Sequence, residues 1–199
     1  PMMVELGALV EKFGLSRLCW NGEVVAIRSA PAHTFGDVKV FPPVGSFLQA
    51  TEAGQIALTN SVLEAVDGGK NVIDFFAGCG TFSLPLAKHA QVLAVEGDAS
   101  LLTALDAGWR NGNGLKTLTT LKRDLFRNPV LAEDLQKVDA AIIDPPRAGA
   151  NAQCKELALS DIPLIAFVSC NPVTFARDAK ILVNAGYTNE WIQVIDQFR

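Results

Sequence analysis

No apolar run in this chain of 199 residues approaches the roughly 20 residues of a membrane span. The opening Pro1-Met2-Met3-Val4-Glu5 has neither the basic flank nor the cleavage signal of a secretory peptide. Charge is scarce as well. Only 19% of residues are charged against 49% hydrophobic, which excludes a disordered or solvating chain. Four cysteines (Cys19, Cys79, Cys154, Cys170) contain no C-x-x-C pair, and the two histidines, His33 and His89, lie at ligand spacing from none of them. Neither a metal site nor a disulfide framework is expected. With 17 basic and 21 acidic residues the formal charge is -4, which argues against a globally basic nucleic-acid binder but leaves room for a local basic groove. The expectation is a soluble, cytoplasmic, monomeric protein with no membrane partner.

What is present changes character near residue 70. Before it, Val4, Leu6, Leu9, Val10 and Phe13 space as a short helix, and Asn21-Gly22 between two apolar runs signals a type I′ hairpin. Pro42-Pro43-Val44-Gly45 breaks the chain, and Thr51–Val66 returns to helical spacing. After Gly68-Gly69, apolar strands alternate with helices. Strands are predicted at Asn71–Phe76, Gln91–Glu96, Leu118–Lys122, Val138–Asp144 and Ile162–Ser169. Helices are predicted near Phe82–Lys88, Ser100–Asn111, Val130–Leu135, Ala152–Leu159 and Pro172–Asn184, and Tyr187–Phe198 reads as a last strand. Near-continuous apolar strands separated by helices imply an α/β fold: an open, doubly wound, mostly parallel sheet covered on both faces. Residues 1–68 form a small N-terminal α+β accessory region in this reading, and 69–199 the main domain.

Open α/β sheets bind ligands beyond the carboxyl ends of their strands. The first strand runs through Asp74 and Phe76 into Ala77-Gly78-Cys79-Gly80-Thr81-Phe82-Ser83. Gly78 and Gly80 permit a tight turn and close approach of a ligand. Eighteen residues past Gly78, Glu96 ends the second strand, placed to accept hydrogen bonds from a ribose diol. A dinucleotide fingerprint wants a third glycine where Ser83 stands, which disfavours NAD or FAD. The alternative is a bland glycine turn.

The fourth strand leaves the sheet at Asp144-Pro145-Pro146-Arg147, because two prolines cannot continue a central strand. The fifth runs into Ser169-Cys170-Asn171-Pro172. Asn171 suits a helix cap and Pro172 the first turn, so Cys170 sits beside a helix N-terminus, whose partial positive charge favours thiolate. The alternative is a packed cysteine at a strand end. Cys79, inside the glycine turn, reads as structural. A cysteine nucleophile suits methylation at C5 of a pyrimidine: thiolate addition to C6 turns a weakly nucleophilic C5 into an enolate carbon.

The acidic residue inside the first strand, Asp74, and its glycine turn resemble the first motif of class I S-adenosylmethionine-dependent methyltransferases, whose fold is Rossmann-like. Together Asp74-Phe75-Phe76-Ala77-Gly78-Cys79-Gly80, Glu96, Asp144-Pro145-Pro146-Arg147 and Ser169-Cys170-Asn171-Pro172 resemble the RNA uracil-5 methyltransferases, which make 5-methyluridine in ribosomal or transfer RNA. Phe47-Leu48-Gln49 is similar to that family's F-x-Q segment. The resemblance implies an S-adenosylmethionine site at Gln49, Asp74, Phe76, Gly78, Gly80, Thr81, Glu96 and Asp144, with Asp124 near the adenine. It implies Cys170 as nucleophile, with Asp144 beside it in the chemistry, and Arg147 and Asn171 on the substrate side.

Three departures accompany the likeness. Thr51 stands where the family usually has Asn. The family's general-base Glu lies beyond its last strand, whereas here Glu190 is the nearest carboxylate and does not match the motif. The N-terminal RNA-binding barrel of many members has no counterpart. The catalytic domain is therefore expected to be C-terminally truncated. Lys116, Lys122, Arg123 and Arg127, with Arg110, could line an RNA groove or form a solvated edge; a target uracil must be single-stranded or flipped out to reach Cys170. Alternatives to the uracil-5 reading are an RNA cytosine-5 methyltransferase and a non-catalytic S-adenosylmethionine- or RNA-binding module.

Overall fold

A computed structural model describes residues 2–197. Helix α1 (Met2–Lys12) is followed by two antiparallel hairpins, β1 (Arg17–Trp20) with β2 (Glu23–Ile27), and β3 (His33–Phe35) with β4 (Val38–Val40). The first hairpin turns at Asn21 and Gly22, with φ of 51° and 83°. Positive φ at both central residues is what a type I′ turn requires, and Asn-Gly supplies it at little steric cost. Helix α2 (Glu52–Ala65) starts at Thr51, whose hydroxyl accepts from the Gly54 amide at 3.0 Å.

The remaining elements build the sheet: β5 (Asn71–Phe75), α3 (Ser83–Leu86), β6 (Gln91–Glu96), α4 (Ala99–Asn111), β7 (Leu118–Lys122), a 3₁₀ turn (Ala132–Leu135), β8 (Ala140–Ile143), α5 (Asn151–Leu157), β9 (Leu164–Phe167) and α6 (Pro172–Asn184). Its five strands are all parallel, in the order β7-β6-β5-β8-β9. The chain steps outward from β5 to β7, then returns to the other side of β5 for β8 and β9. The reversal falls between β5 and β8, past whose carboxyl ends such sheets place their ligands.

Alternation along the strands sorts the core into two layers. Val72, Ala94, Ala140 and Ile142 pack on one face with Val62 of α2, Leu84 of α3 and Leu105 of α4. Ile73, Phe75, Val95, Ala141 and Ile143 pack on the other with Cys154 and Leu157 of α5 and Leu182 of α6. Strand β8 is buried at all four positions, as expected for a central strand covered on both sides. Phe35, Val38 and Val40 of the second hairpin join the first layer.

Several predicted elements are shorter. Strand β8 ends at Ile143 rather than Asp144, and β9 covers Leu164–Phe167 rather than Ile162–Ser169. The helix expected over Phe82–Lys88 is one turn, and the one over Val130–Leu135 is the 3₁₀ turn. The strand expected at Tyr187–Phe198 is absent over residues 187–197, and Phe198 lies outside the described residues. That segment is held by side chains instead: Ser61 of α2 donates to Gln193 at 2.6 Å, and Gln197 donates to Gln49 at 2.9 Å. Alternating side chains permit a strand, but a strand also needs a partner edge, and Ile192 and Val194 stay exposed. No helix among the described residues is long and apolar enough to cross a membrane.

Candidate active site

Asp74 sits inside β5, paired in register with Ala94 on one side and Ile142 on the other, and is fully buried. Ser83, at the start of α3, donates to its Oδ2 at 2.5 Å, while its Oδ1 is buried without a partner. Burial, with smaller contributions from the charges of Asp144 and Glu96, pushes this carboxyl up to about 7, against the opposing Ser83 bond. A buried carboxylate oxygen with no donor is costly, and strain, a catalytic role or a bound group are the usual reasons for one in a native fold.

Past β5 the backbone turns sharply. Phe76 holds a left-handed φ of 61°, a conformation that costs a non-glycine residue on the order of 1 kcal/mol and concentrates at functional sites. Its ring packs on Phe126 at 5.5 Å between centroids. Gly78 follows with φ 56° and open space where a side chain would stand. Gly80 abuts Leu84 and Leu105 so closely that no Cβ would fit, and Thr81 beside it is half-buried. Cys79 is buried in the turn, and burial pushes its thiol up to about 11, as fits a packing role.

Glu96 closes β6 and braces this turn. Its Oε2 accepts from the Gly78 amide at 3.1 Å, and its Oε1 accepts from the amides of Gly97 and Asp98 at 2.7 and 3.0 Å. Asp124, after β7, takes the amides of Phe126 and Arg127 on Oδ1 and so shapes the loop that presents Phe126. Gln49 approaches from the segment before α2, its Oε1 taken by Gln197. Thr51 is occupied as the α2 cap.

Strands β8 and β9 are parallel neighbours, with Ile143 opposite Phe167, and Val168 N donates to Ile143 O at 2.8 Å. Asp144 and Cys170 therefore both lie past the carboxyl ends of adjacent strands. Asp144 is part-buried and its carboxyl is pushed up to about 7 by burial, whereas Cys170 is exposed. Asn171 caps α6 by accepting from Val173 N at 3.1 Å, and its Nδ2 donates to the Arg147 carbonyl at 3.0 Å. Asn171 thus ties the cysteine loop to the proline loop. Arg147 itself is exposed.

The family model described as tRNA (uracil-5-)-methyltransferase matches residues 42–199. This chain belongs to that family. Among its relatives, an uncharacterized RNA methyltransferase of Rhizobium meliloti is 50% identical over 191 residues, covering 96% of this chain and 46% of the relative. The 23S rRNA (uracil(1939)-C(5))-methyltransferase RlmD of Alteromonas mediterranea is 35% identical over 171 residues, covering 83% of this chain and 35% of the relative. The crystal structure of Pyrococcus abyssi tRNA (uracil-54, C5)-methyltransferase with S-adenosyl-L-homocysteine superposes with TM-score 0.74 at 28% identity, covering 89% of this chain and 43% of that one. The chain spans about half the length of the curated relatives it matches.

The expected carboxylates and glycines lie toward one end of the sheet. The structure brings Asp74, Phe76, Gly78, Gly80, Thr81, Glu96 and Asp144 around the turns after β5, β6 and β8. Cys170, Asn171 and Arg147 stand on the β8–β9 side, Asp124 on the β7 side, and Gln49 outside the sheet. Of the basic residues that could line a groove or form a solvated edge, Arg110 pairs with Asp106, Arg127 with Asp124, Arg123 bonds Asn128 and Lys116 bonds the His89 carbonyl, as a solvated edge would have them. Glu190 is exposed and accepts from Thr188 at 2.7 Å. Sequence reasoning missed Phe126, which follows the Asp124 turn with no periodic signal. It also missed Asp178, an acid on the buried face of α6 four residues before buried Leu182, a spacing that does carry a signal.

Proposed function

We propose that this chain transfers a methyl group from S-adenosylmethionine to C5 of a uridine in ribosomal or transfer RNA, with Cys170 as nucleophile. The observation that carries the reading is an exposed cysteine past the end of β9, the strand paired with the one that leads into Asp144, at the same sheet end as the glycine turn and its buried acids.

The residues present suit the cofactor. An unpartnered buried oxygen on Asp74, two carboxyls raised to about 7 and open space over Gly78 favour a cationic ligand that brings its own donors. Asp74, Glu96 and Asp144 would hold it, with Phe76 and Phe126 as an apolar face and Gln49 at the rim. When bound, S-adenosylmethionine supplies an electrophilic methyl group on a sulfonium.

The nucleophile in this chemistry is the sulfur of Cys170, which loses its proton to attack and which lies two residues before the start of α6. That sulfur forms a bond to C6 of the uracil ring, and the C5–C6 electron pair moves into an enolate toward O4. C5 is then the nucleophilic carbon that would take the methyl group as the methyl–sulfur bond breaks and a neutral thioether leaves. A base next removes the C5 proton, the C5–C6 double bond re-forms, and the sulfur leaves C6 as thiolate. Asn171 holds the cysteine loop through both ends of its amide. The target uridine must be single-stranded or flipped out of a helix to reach this sulfur.

The test is label transfer. With methyl-labelled S-adenosylmethionine and unmodified RNA, label should appear in 5-methyluridine or as a stalled protein–RNA adduct, and neither should form with Cys170→Ala. Label in 5-methylcytidine, or in either product from Cys170→Ala, overturns the reading.

A further inference from the structure

Four hydrogen bonds tie the start of α6 to the loop that leaves β8, and none of them involves the sheet. Asn171 Nδ2 and Thr174 Oγ1 both donate to the Arg147 carbonyl, at 3.0 and 3.2 Å. Arg177 Nη2 donates to the Ala148 carbonyl at 2.9 Å, and Asp178 Oδ2 accepts from the Ala150 amide at 2.7 Å. Arg177 also grips Asp178 in a fork, Nε to Oδ1 at 2.7 Å and Nη2 to Oδ2 at 2.9 Å. Neighbouring residues on a helix do not face each other, so this pair meets only because both side chains converge on residues 148–150.

The loop is shaped to receive them. Gly149 has φ 82°, and a Cβ there would lie 2.3 Å from Asp178 Oδ2 and 2.5 Å from Arg177 Nη2. Asp178 is fully buried. A buried carboxylate with this many donors fixes the backbone it touches, because losing any donor leaves charge unpaired in a dry site. The loop it fixes begins at Asp144-Pro145-Pro146-Arg147, and the helix it fixes begins two residues after Cys170.

We infer that Arg177 and Asp178 are positioning residues that lock the Asp144 loop onto α6 and so set where Cys170 stands relative to Asp144. The inference rests on the reading of Cys170 as nucleophile. Each acts through the backbone of residues 148–150.

The experiment compares the wild-type chain with Asp178→Asn, Arg177→Lys and Thr174→Val. The control is Val38→Ala in the remote β3–β4 hairpin, which disturbs the core without touching the loop. Three quantities are read: the rate of covalent trapping by RNA containing 5-fluorouridine with saturating S-adenosylmethionine, the affinity for S-adenosylmethionine, and Tm. Asp178→Asn should slow trapping at least about tenfold with cofactor affinity within about twofold of wild type, and Arg177→Lys should fall between the two. Val38→Ala should keep the wild-type rate despite its lower Tm. Trapping by Asp178→Asn at the wild-type rate, or slowing by Val38→Ala in proportion to its Tm loss, overturns the inference. If Asp178→Asn does not fold, Thr174→Val and Arg177→Lys carry the comparison.

Amide hydrogen exchange on the same proteins without RNA separates the two readings. Failure of the wild type to trap RNA would count against Cys170 as nucleophile. The positioning role then stands only if the variants speed exchange across both 147–150 and 169–173 while β5 stays protected, and falls if either segment is unchanged.

Discussion

Asp74→Asn changes one atom of a fully buried side chain, and the two states of the site should respond in opposite directions. In the folded chain the Asp74 carboxyl is raised from its ordinary 3.8 to about 7. A shift of about 3 units at about 1.4 kcal/mol each makes the ionised form costlier than the protonated form by on the order of 4 kcal/mol. For an acid with a raised folded value, the folded state holds its proton more tightly than the unfolded state. The stabilisation is complete below about pH 4 and is lost as pH rises through 7. The carboxamide of the Asp74→Asn chain has no such titration and can still accept from Ser83. Without cofactor, the variant should match wild type below about pH 4 and exceed it by up to a few kcal/mol at pH 8, read by urea unfolding at both values. Excess S-adenosylmethionine should narrow that gap. At 100 times its Kd it stabilises wild type by about 2.7 kcal/mol, and wild-type affinity should weaken about tenfold from pH 8 to 6 for each carboxylate that must ionise. The variant should show little of either effect. An Asp74→Asn chain that is less stable than wild type at pH 8 without cofactor, or that binds the cofactor with unchanged pH-dependent affinity, would refute the reasoning.

Two further outcomes follow from the same geometry. Iodoacetamide at pH 8 should modify Cys170 first and Cys19 more slowly, while Cys79 and Cys154, buried with thiols pushed up to about 11 and 12, should resist until the chain unfolds; peptide mass mapping reads the order. Asn171→Ala removes both the α6 cap and the bond to the Arg147 carbonyl, and should cost about 1–2 kcal/mol in urea unfolding while slowing 5-fluorouridine trapping more than it weakens cofactor binding.

The parallel sheet was legible because its central strands β5 and β8 are apolar on both faces and its turns carry glycine or proline. Asn71-Val72-Ile73, Gln91–Glu96 and Leu118–Lys122 keep their predicted starts, since each begins where a turn ends. Boundaries at the carboxyl ends shift where site residues begin: Phe76 belongs to the left-handed turn, and Asp144 to the proline exit. The tail at 187–197 misled because its alternation reflects polar contacts to α2 through Gln193 and to Gln49 through Gln197, and not ladder pairing. Asp74, Glu96, Asp144 and Cys170 could be read from position alone, each at or near a strand end. Phe126 and the Arg177–Asp178 pair could not be assigned that way, because what they do depends on which loop they meet, and that is set by the order β5-β8-β9 and not by spacing along the chain.

The central claim is that the Cys170 sulfur bonds C6 of a uridine. RNA carrying 5-fluorouridine, incubated with the chain and S-adenosylmethionine, then digested with nuclease and protease and weighed by mass spectrometry, tests this directly. Fluorine cannot leave C5 as a proton does, so the adduct should persist whether or not a base is at hand. The account predicts a methylated fluorouridine nucleotide on the peptide containing Cys170 and none from Cys170→Ala. An adduct on another residue, or one that survives Cys170→Ala, contradicts it.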